Sequence, residues 1–289
     1  MTPGKAPKRG PAKDKTAAPG ASGSGKGGQS DESGLTATML QGTDVGLELF
    51  AAMPLEDALM LVAMPGVGSA AIIAAQYLVK HLNLPLVGHF RIPEFRSIVS
   101  IQDGQATSPV RIFGGETVCR VGGPCPRVFV VMADVPLHPV HAGRIAEFAL
   151  KVAKSAGARL VLSLDAVVRL DSDSHADVYS ASSEEPVLRM LVKAGIPAMA
   201  RALISGPTAQ VLVQGKDMEV ASGALLVEAA KDHPDGLAAS ALIAAVSRLL
   251  PDVPVDPKPL EDEAMQLEAE IKRAQSGAGT NLPVTDSFI

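Results

Sequence analysis

His138 and His141 lie three residues apart at a helix start, a spacing that can place two imidazoles on one metal ion. Cys119 and Cys125 are the residue types that would complete a tetrahedral set, but nothing in the sequence brings the four together, so no metal is expected. Their spacing is not C-x-x-C, and two cysteines in 289 residues make no disulfide framework; buried or reduced thiols are the reading. Asp134 and Asp165 end apolar runs, where α/β enzymes often keep acid–base groups and where aspartate also caps loops. Pro65 to Ser69 forms a Gly-rich turn between an apolar run and a helix, the place where a parallel sheet offers amides to an anion. It has no complete G-x-G-x-x-G pattern, and the next lysine is Lys80 at the far end of the helix. Gly66 and Gly68 are therefore read as structural, allowing strand and helix to pack closely.

Other chemistry is excluded by context. Gly20 to Gly27 (GASGSGKG) approximates a phosphate loop but puts Gly27 where a metal-binding hydroxyl belongs, and no buried strand precedes it. No G-x-S-x-G, H-E-x-x-H or paired-cysteine zinc motif occurs. Aromatics are 3% of the chain with no Trp, which argues against a base-stacking nucleic-acid platform. No apolar run reaches the roughly 18 residues needed to cross a bilayer. No apolar stretch follows the basic N-terminus as a secretory signal requires, and a cytoplasmic protein is expected.

The elements that must position these residues begin near Leu35. Residues 1–34 carry six Lys or Arg against three acids, sixteen Gly, Pro or Ser, and no Leu, Ile, Val or Phe. Such a segment cannot bury enough surface to offset its ordering entropy and reads as a disordered basic tail. Apolar runs at 58–64, 85–91, 127–133, 159–165, 198–204 and 219–227 read as strands, and 97–121 as a β-rich excursion with hairpin-like turns. Helices fit 69–82, 139–156, 185–194 and 236–250, while 208–214 is apolar without a clear period. Strands alternating with helices predict a mostly parallel sheet with helices on both faces, over a core domain of residues 35–252. After Pro251, Pro254, Pro257 and Pro259, a separate helix occupies 253–275, with Leu260, Ala264, Leu267 and Ile271 on one stripe. That stripe either docks on the body or forms a short coiled coil between subunits. Residues 276–289 form a flexible tail ending Ser287, Phe288, Ile289, where an aromatic beside a terminal carboxylate can be read by a receptor pocket or can fold back on its own domain.

Three stretches resemble the proteasome assembly chaperone 2 family, in particular its archaeal members. They are Met64-Pro65-Gly66-Val67-Gly68 with the Ala-rich helix ending in Tyr77-Leu78; Ile92-Pro93 to Phe113; and Ile204-Ser205-Gly206 followed by Ala224 to Glu228 and by Pro234-Asp235-Gly236-Leu237-Ala238-Ala239. Their order and spacing, over roughly residues 58 to 273, carry the likeness. The resemblance implies a three-layer α/β/α sandwich similar to the nucleoside phosphorylase fold. It also implies a chaperone or adaptor that works without nucleotide hydrolysis or cofactor and binds the α subunits or α-ring of the 20S proteasome. Several family members end in a hydrophobic-tyrosine-any motif that inserts between neighbouring α subunits; the matching positions are Ser287, Phe288 and Ile289. Here Phe replaces Tyr and Ser replaces the hydrophobic residue, so a homo-oligomer presenting several tails is expected to supply the binding strength. The alternative on the same fold is a nucleoside phosphorylase or hydrolase, which needs a phosphate or ribose pocket with converging Arg, Ser and carboxylate groups.

Overall fold

Residues 59–63 (LMLVA) alternate between two cores: Leu59, Leu61 and Ala63 join one apolar cluster, while Met60 and Val62 join the other. A strand with both faces buried must lie inside a sheet covered on both sides by helices. The computed structural model describes residues 45–51, 53–92, 98–102, 104–117, 125–169, 176–262 and 265, all within the unit Gly34–Ile289.

The chain enters through β1 (Gly46–Leu49) and β2 (Leu59–Ala63), then a 3-10 turn (Val67–Ser69) opens α1 (Ala70–His81). Next come β3 (Leu86–Arg91), β4 (Ser100–Gln102), β5 (Gln105–Thr107), β6 (Val110–Glu116), β7 (Arg127–Ala133) and α2 (Pro139–Ser155). They are followed by β8 (Leu160–Val168), β9 (Val178–Ala181), α3 (Glu185–Lys193), α4 (Pro207–Asp217), β10 (Ser222–Ala229) and α5 (Gly236–Leu249).

Eight strands form one sheet in the order β1-β3-β6-β7-β2-β8-β10-β9. The centre is parallel, with Leu61 opposite Val130 of β7 and Leu162 of β8, and Leu225 of β10 opposite Leu164. The flanking strands β1, β3 and β6 on one side, and β9 on the other, pair antiparallel. Helices α1, α3 and α5 contribute to the cluster on one face and α2 and α4 to that on the other, which makes the expected three-layer sandwich. Helix α2 seats Ile145, Phe148, Ala149 and Val152 in its cluster, as the stripe predicts. Strands β4 and β5 form a separate two-stranded sheet.

Several expectations change, and the stretch left open is resolved. No strand runs through 198–204: only Ala198 makes an isolated parallel bridge to Ser180, and Arg201, Ala202 and Leu203 are exposed. The free edge of β9 is within reach, as the Ala198 bridge shows, but none of residues 198–204 is buried, so no core face holds the run in the sheet. The ambiguous stretch 208–214 is α4, entered through Gly206 at φ 76° and Pro207 in the first turn, where proline's missing donor costs nothing. Strand β10 starts at Ser222, three residues later than expected, and the short edge strands β1 and β9 were not anticipated. Cys125 is disulfide-bonded, which overturns the reduced-thiol reading; the other cysteine, Cys119, lies outside the described residues. A low cysteine count argues against a framework of bridges, not against a single one.

Candidate functional site

The turn after β2, the end of β8 and the entry to α4 surround a cleft of about 360 Å³. Its position follows from topology. From β2 the chain leaves through α1 towards the β3 side of the sheet, and from β8 it leaves towards β9 and β10, with α1 and α4 on opposite faces. Parallel strands whose connections diverge leave a crevice outside their carboxyl ends, where ligands of such folds bind.

Asp165 is the ionisable side chain lining this cleft; the other lining groups are Ser205, backbone, and apolar side chains such as Met64, Val67, Leu164 and Ile204. Its Oδ1 accepts the Ala166 amide at 2.8 Å, and Oδ2 accepts the Thr208 hydroxyl at 2.7 Å. Since Thr208 spends its proton on Asp165, the Ser163 hydroxyl 2.8 Å away donates to Thr208 Oγ1. Ser163 and Thr208 are both buried, so this chain fixes the carboxylate's orientation. Burial raises the pKa of Asp165, while the bonds from Thr208 and Ala166 oppose that rise.

A carboxyl whose folded pKa exceeds its unfolded value adds stability that is complete below the unfolded value and lost as pH rises through the folded one. The urea midpoint of wild type is therefore expected to gain from Asp165 as pH falls through its raised pKa towards 3.8, and Asp165→Asn is expected to lack that increment. Identical midpoint-versus-pH curves would show that Asp165 titrates normally.

The second candidate feature is the mount of the C-terminal segment. Val253 and Val255 are buried in the core cluster shared with α1 and α5. Tyr77 donates its hydroxyl to the Asp256 carbonyl at 2.6 Å, and His81 Nε2 donates to the Pro254 carbonyl at 2.8 Å; a carbonyl only accepts, so this nitrogen carries the proton. The two rings stack, with centroids 5.3 Å apart. Ser240 of α5 adds a bond to the Pro257 carbonyl at 3.3 Å. Residues 258–262 are helical, and Leu260 packs half-buried against the core of its own chain. Ala264, Leu267, Ile271, Ser287, Phe288 and Ile289 lie outside the residues whose side chains are described. The sequence reading missed Tyr77 and His81, although their i, i+4 spacing puts two donors on one face of α1 and the proline-rich stretch after Leu250 offers extended carbonyls.

The remaining sequence candidates are not brought together. Asp134 accepts two bonds from Arg111 Nη2, at 2.6 and 2.5 Å, and so neutralises an arginine only 1% exposed that also stacks on Phe113. It does not line the cleft. His138 caps α2 by accepting the Val140 amide through Nδ1, and its ring lies 6.0 Å from that of His141. Among the described residues no three His, Cys, Asp or Glu gather as a metal site, and no helix is long and apolar enough to cross a membrane. Gly66 lines the cleft, where a Cβ would sit 3.2 Å from Asp165 Oδ1, whereas Gly68 packs beside it against the end of β10, where a Cβ would meet the Ala230 carbonyl at 2.8 Å.

Comparison with known proteins agrees with this architecture. An uncharacterized protein of Methanocaldococcus jannaschii is 22% identical over 217 residues, 75% of this chain and 85% of that one. The crystal structure of Pyrococcus furiosus PbaA, an archaeal homolog of proteasome-assembly chaperone, superposes with a TM-score of 0.70 at 25% identity, covering 80% of this chain and 92% of that one. Pyrococcus furiosus PbaB, an archaeal proteasome activator, shares the fold with a TM-score of 0.69 at 17% identity, covering 80% and 98%. The PAC2 family's sequence model matches residues 60–275, from within β2 to beyond the mounted C-terminal segment, and the chain belongs to the PAC2 family.

Proposed function

We propose that this protein is an ATP-independent proteasome assembly chaperone or adaptor that binds the 20S α-ring or its α subunits, partly through its C-terminal tail. The observation that carries the reading is the likeness to PbaA, at 25% identity over 92% of that chain. The mount described above supports it, because a segment pinned on the outside of α1 and α5 gives a tail beyond it a rigid base. In this reading Ser287, Phe288 and Ile289 are the partner-binding residues. Phe288 offers the ring, and the hydroxyl that a tyrosine would add is worth about 0.5–1.5 kcal/mol. A cytoplasmic homo-oligomer, assembled through the part of the stripe beyond the docked Leu260 (Ala264, Leu267 and Ile271), multiplies the tails and recovers the loss. The phosphorylase alternative needs a cation for phosphate, and no Arg, Lys or His is among the described residues lining the cleft.

Capture of purified 20S proteasome by the full-length protein is expected, and removal of Ser287 to Ile289 is expected to reduce it by about tenfold or more, as loss of a multivalent contact does. Equal capture by both forms removes the tail from the mechanism. No capture by either form refutes the reading.

A further inference from the structure

The cleft at the ends of β2 and β8 plays no part in the proteasome reading, yet it has the form of a built binding site. Its volume of about 360 Å³ falls in the range of small-ligand pockets, and it stands at the divergence of two parallel strands. We infer that it binds an aliphatic primary ammonium group, with the carbon chain along the apolar walls and the charged head on the Asp165 carboxylate.

Charge selects the ligand class. Asp165 is the one ionisable side chain among the described residues lining the cleft, contributed by the β2 turn, β8 and the approach to α4. An anion would meet a carboxylate with no cation beside it among the described lining residues. A neutral apolar molecule would strip water from that carboxylate without compensation, which is costly. An ammonium supplies both a counter-charge and donors, and each oxygen of Asp165 still has a lone pair after accepting from Ala166 or Thr208.

Shape selects the stem. Met64, Val67, Leu164 and Ile204 line the walls, and Leu203, 99% exposed, stands at the rim with its whole side chain unpartnered. A methylene chain entering between them buries apolar surface on both sides, as lysine stems do on apolar faces. The Ser163–Thr208–Asp165 chain already orients the carboxylate, so binding does not have to order it. Two sources carry this chemistry: a free alkylamine and the side chain of a lysine in a polypeptide.

The test is an amide-shift titration of isotope-labelled full-length protein, followed at Gly66, Ala166 and Thr208. The probes are n-pentylammonium, a lysine capped at both backbone ends, 1-pentanol and pentanoate. Saturable shifts are expected with the two ammonium compounds and at least about tenfold weaker response to the alcohol and the acid. Asp165→Asn is expected to abolish the preference. Gly66→Ala, which adds a carbon 3.2 Å from Asp165 Oδ1, is expected to weaken binding while Gly66's extended backbone (φ −150°, ψ −156°) accepts the side chain. Should Asp165→Asn not fold, wild type alone decides, since its affinity for pentylammonium must fall as pH drops and the carboxylate is protonated. Capped lysine binding as tightly as pentylammonium identifies a polypeptide lysine as the source, and a preference for pentylammonium of about tenfold identifies a free amine. Equal responses to pentylammonium and pentanol, unchanged binding in Asp165→Asn, a pH-independent affinity, or no response at about 50 mM ligand overturns the site. None of these outcomes depends on proteasome capture.

Discussion

Replacing Asp235 with alanine is expected to destabilise the protein by about 3–5 kcal/mol, the usual cost of deleting one partner of a buried ion pair. Asp235 is 1% exposed and serves three donors. Its Oδ1 caps α5 by accepting the Ala238 amide at 2.8 Å. Its Oδ2 accepts the Ala230 amide at 2.8 Å and Arg169 Nη2 at 3.0 Å. Alanine would strand both amides and leave Arg169, itself largely buried, with the Glu228 carbonyl at 3.0 Å as its side-chain partner among the described residues. Asp235→Asn keeps a side-chain oxygen for the cap and loses the charge, so its cost is expected to be smaller, about 1–2 kcal/mol. Urea unfolding reads both, with the slope unchanged and the midpoint lowered. An alanine variant within about 1 kcal/mol of wild type would show that water or a local shift replaces the carboxylate.

Asp235 also shows how much of the molecule was legible beforehand. The run Pro234 to Ala239 marks a helix start on its face, because an aspartate before an apolar-periodic stretch is an N-cap signal. What no spacing announces is that the same carboxylate pairs with Arg169, 66 residues away in the chain. The cleft follows the same rule. Asp165 is recognisable as a strand-end carboxylate, but Thr208, which orients it, lies 43 residues further on, and the stretch containing Thr208 carries no clear period. Local signals worked where one face or both faces of an element are buried, as in β2, α2 and α5, since periodicity records burial. They failed at β1 and β9, four-residue strands on the sheet's two edges that are only partly buried. They also misled at 198–204, where the apolar residues are not in a core: Leu203 points to solvent at the cleft's rim. That segment departs from the fold's own economy, and an apolar side chain left in water beside a carboxylate-lined crevice is what a binding rim requires.

Gly68→Val is expected to cost about 2–5 kcal/mol, combining left-handed backbone strain with overpacking. Gly68 sits at φ 57°, ψ 11°, a conformation that β-branched residues rarely adopt. The space is closed as well. An added Cβ would lie 2.8 Å from the Ala230 carbonyl, 3.0 Å from Asp235 Cβ and 3.2 Å from Ala229 Cβ, and the first of these is backbone that cannot rotate away. The Gly68 carbonyl also accepts the Asp235 amide at 2.8 Å, so any movement that relieves the clash disturbs the cap of α5. Gly66, two residues earlier, is extended at φ −150°, and a Cβ there would meet the Asp165 carboxylate at 3.2 Å and the Met64 carbonyl at 4.0 Å; Gly66→Ala is expected to stay within about 1 kcal/mol of wild type. Thermal unfolding of the two variants side by side separates the roles. A large loss for Gly68→Val beside a small one for Gly66→Ala assigns Gly68 to packing and leaves Gly66 to the cleft. Because Gly68 and Asp235 touch, their substitutions are expected to combine less than additively, and additive losses would mean that the turn and the cap of α5 hold independently.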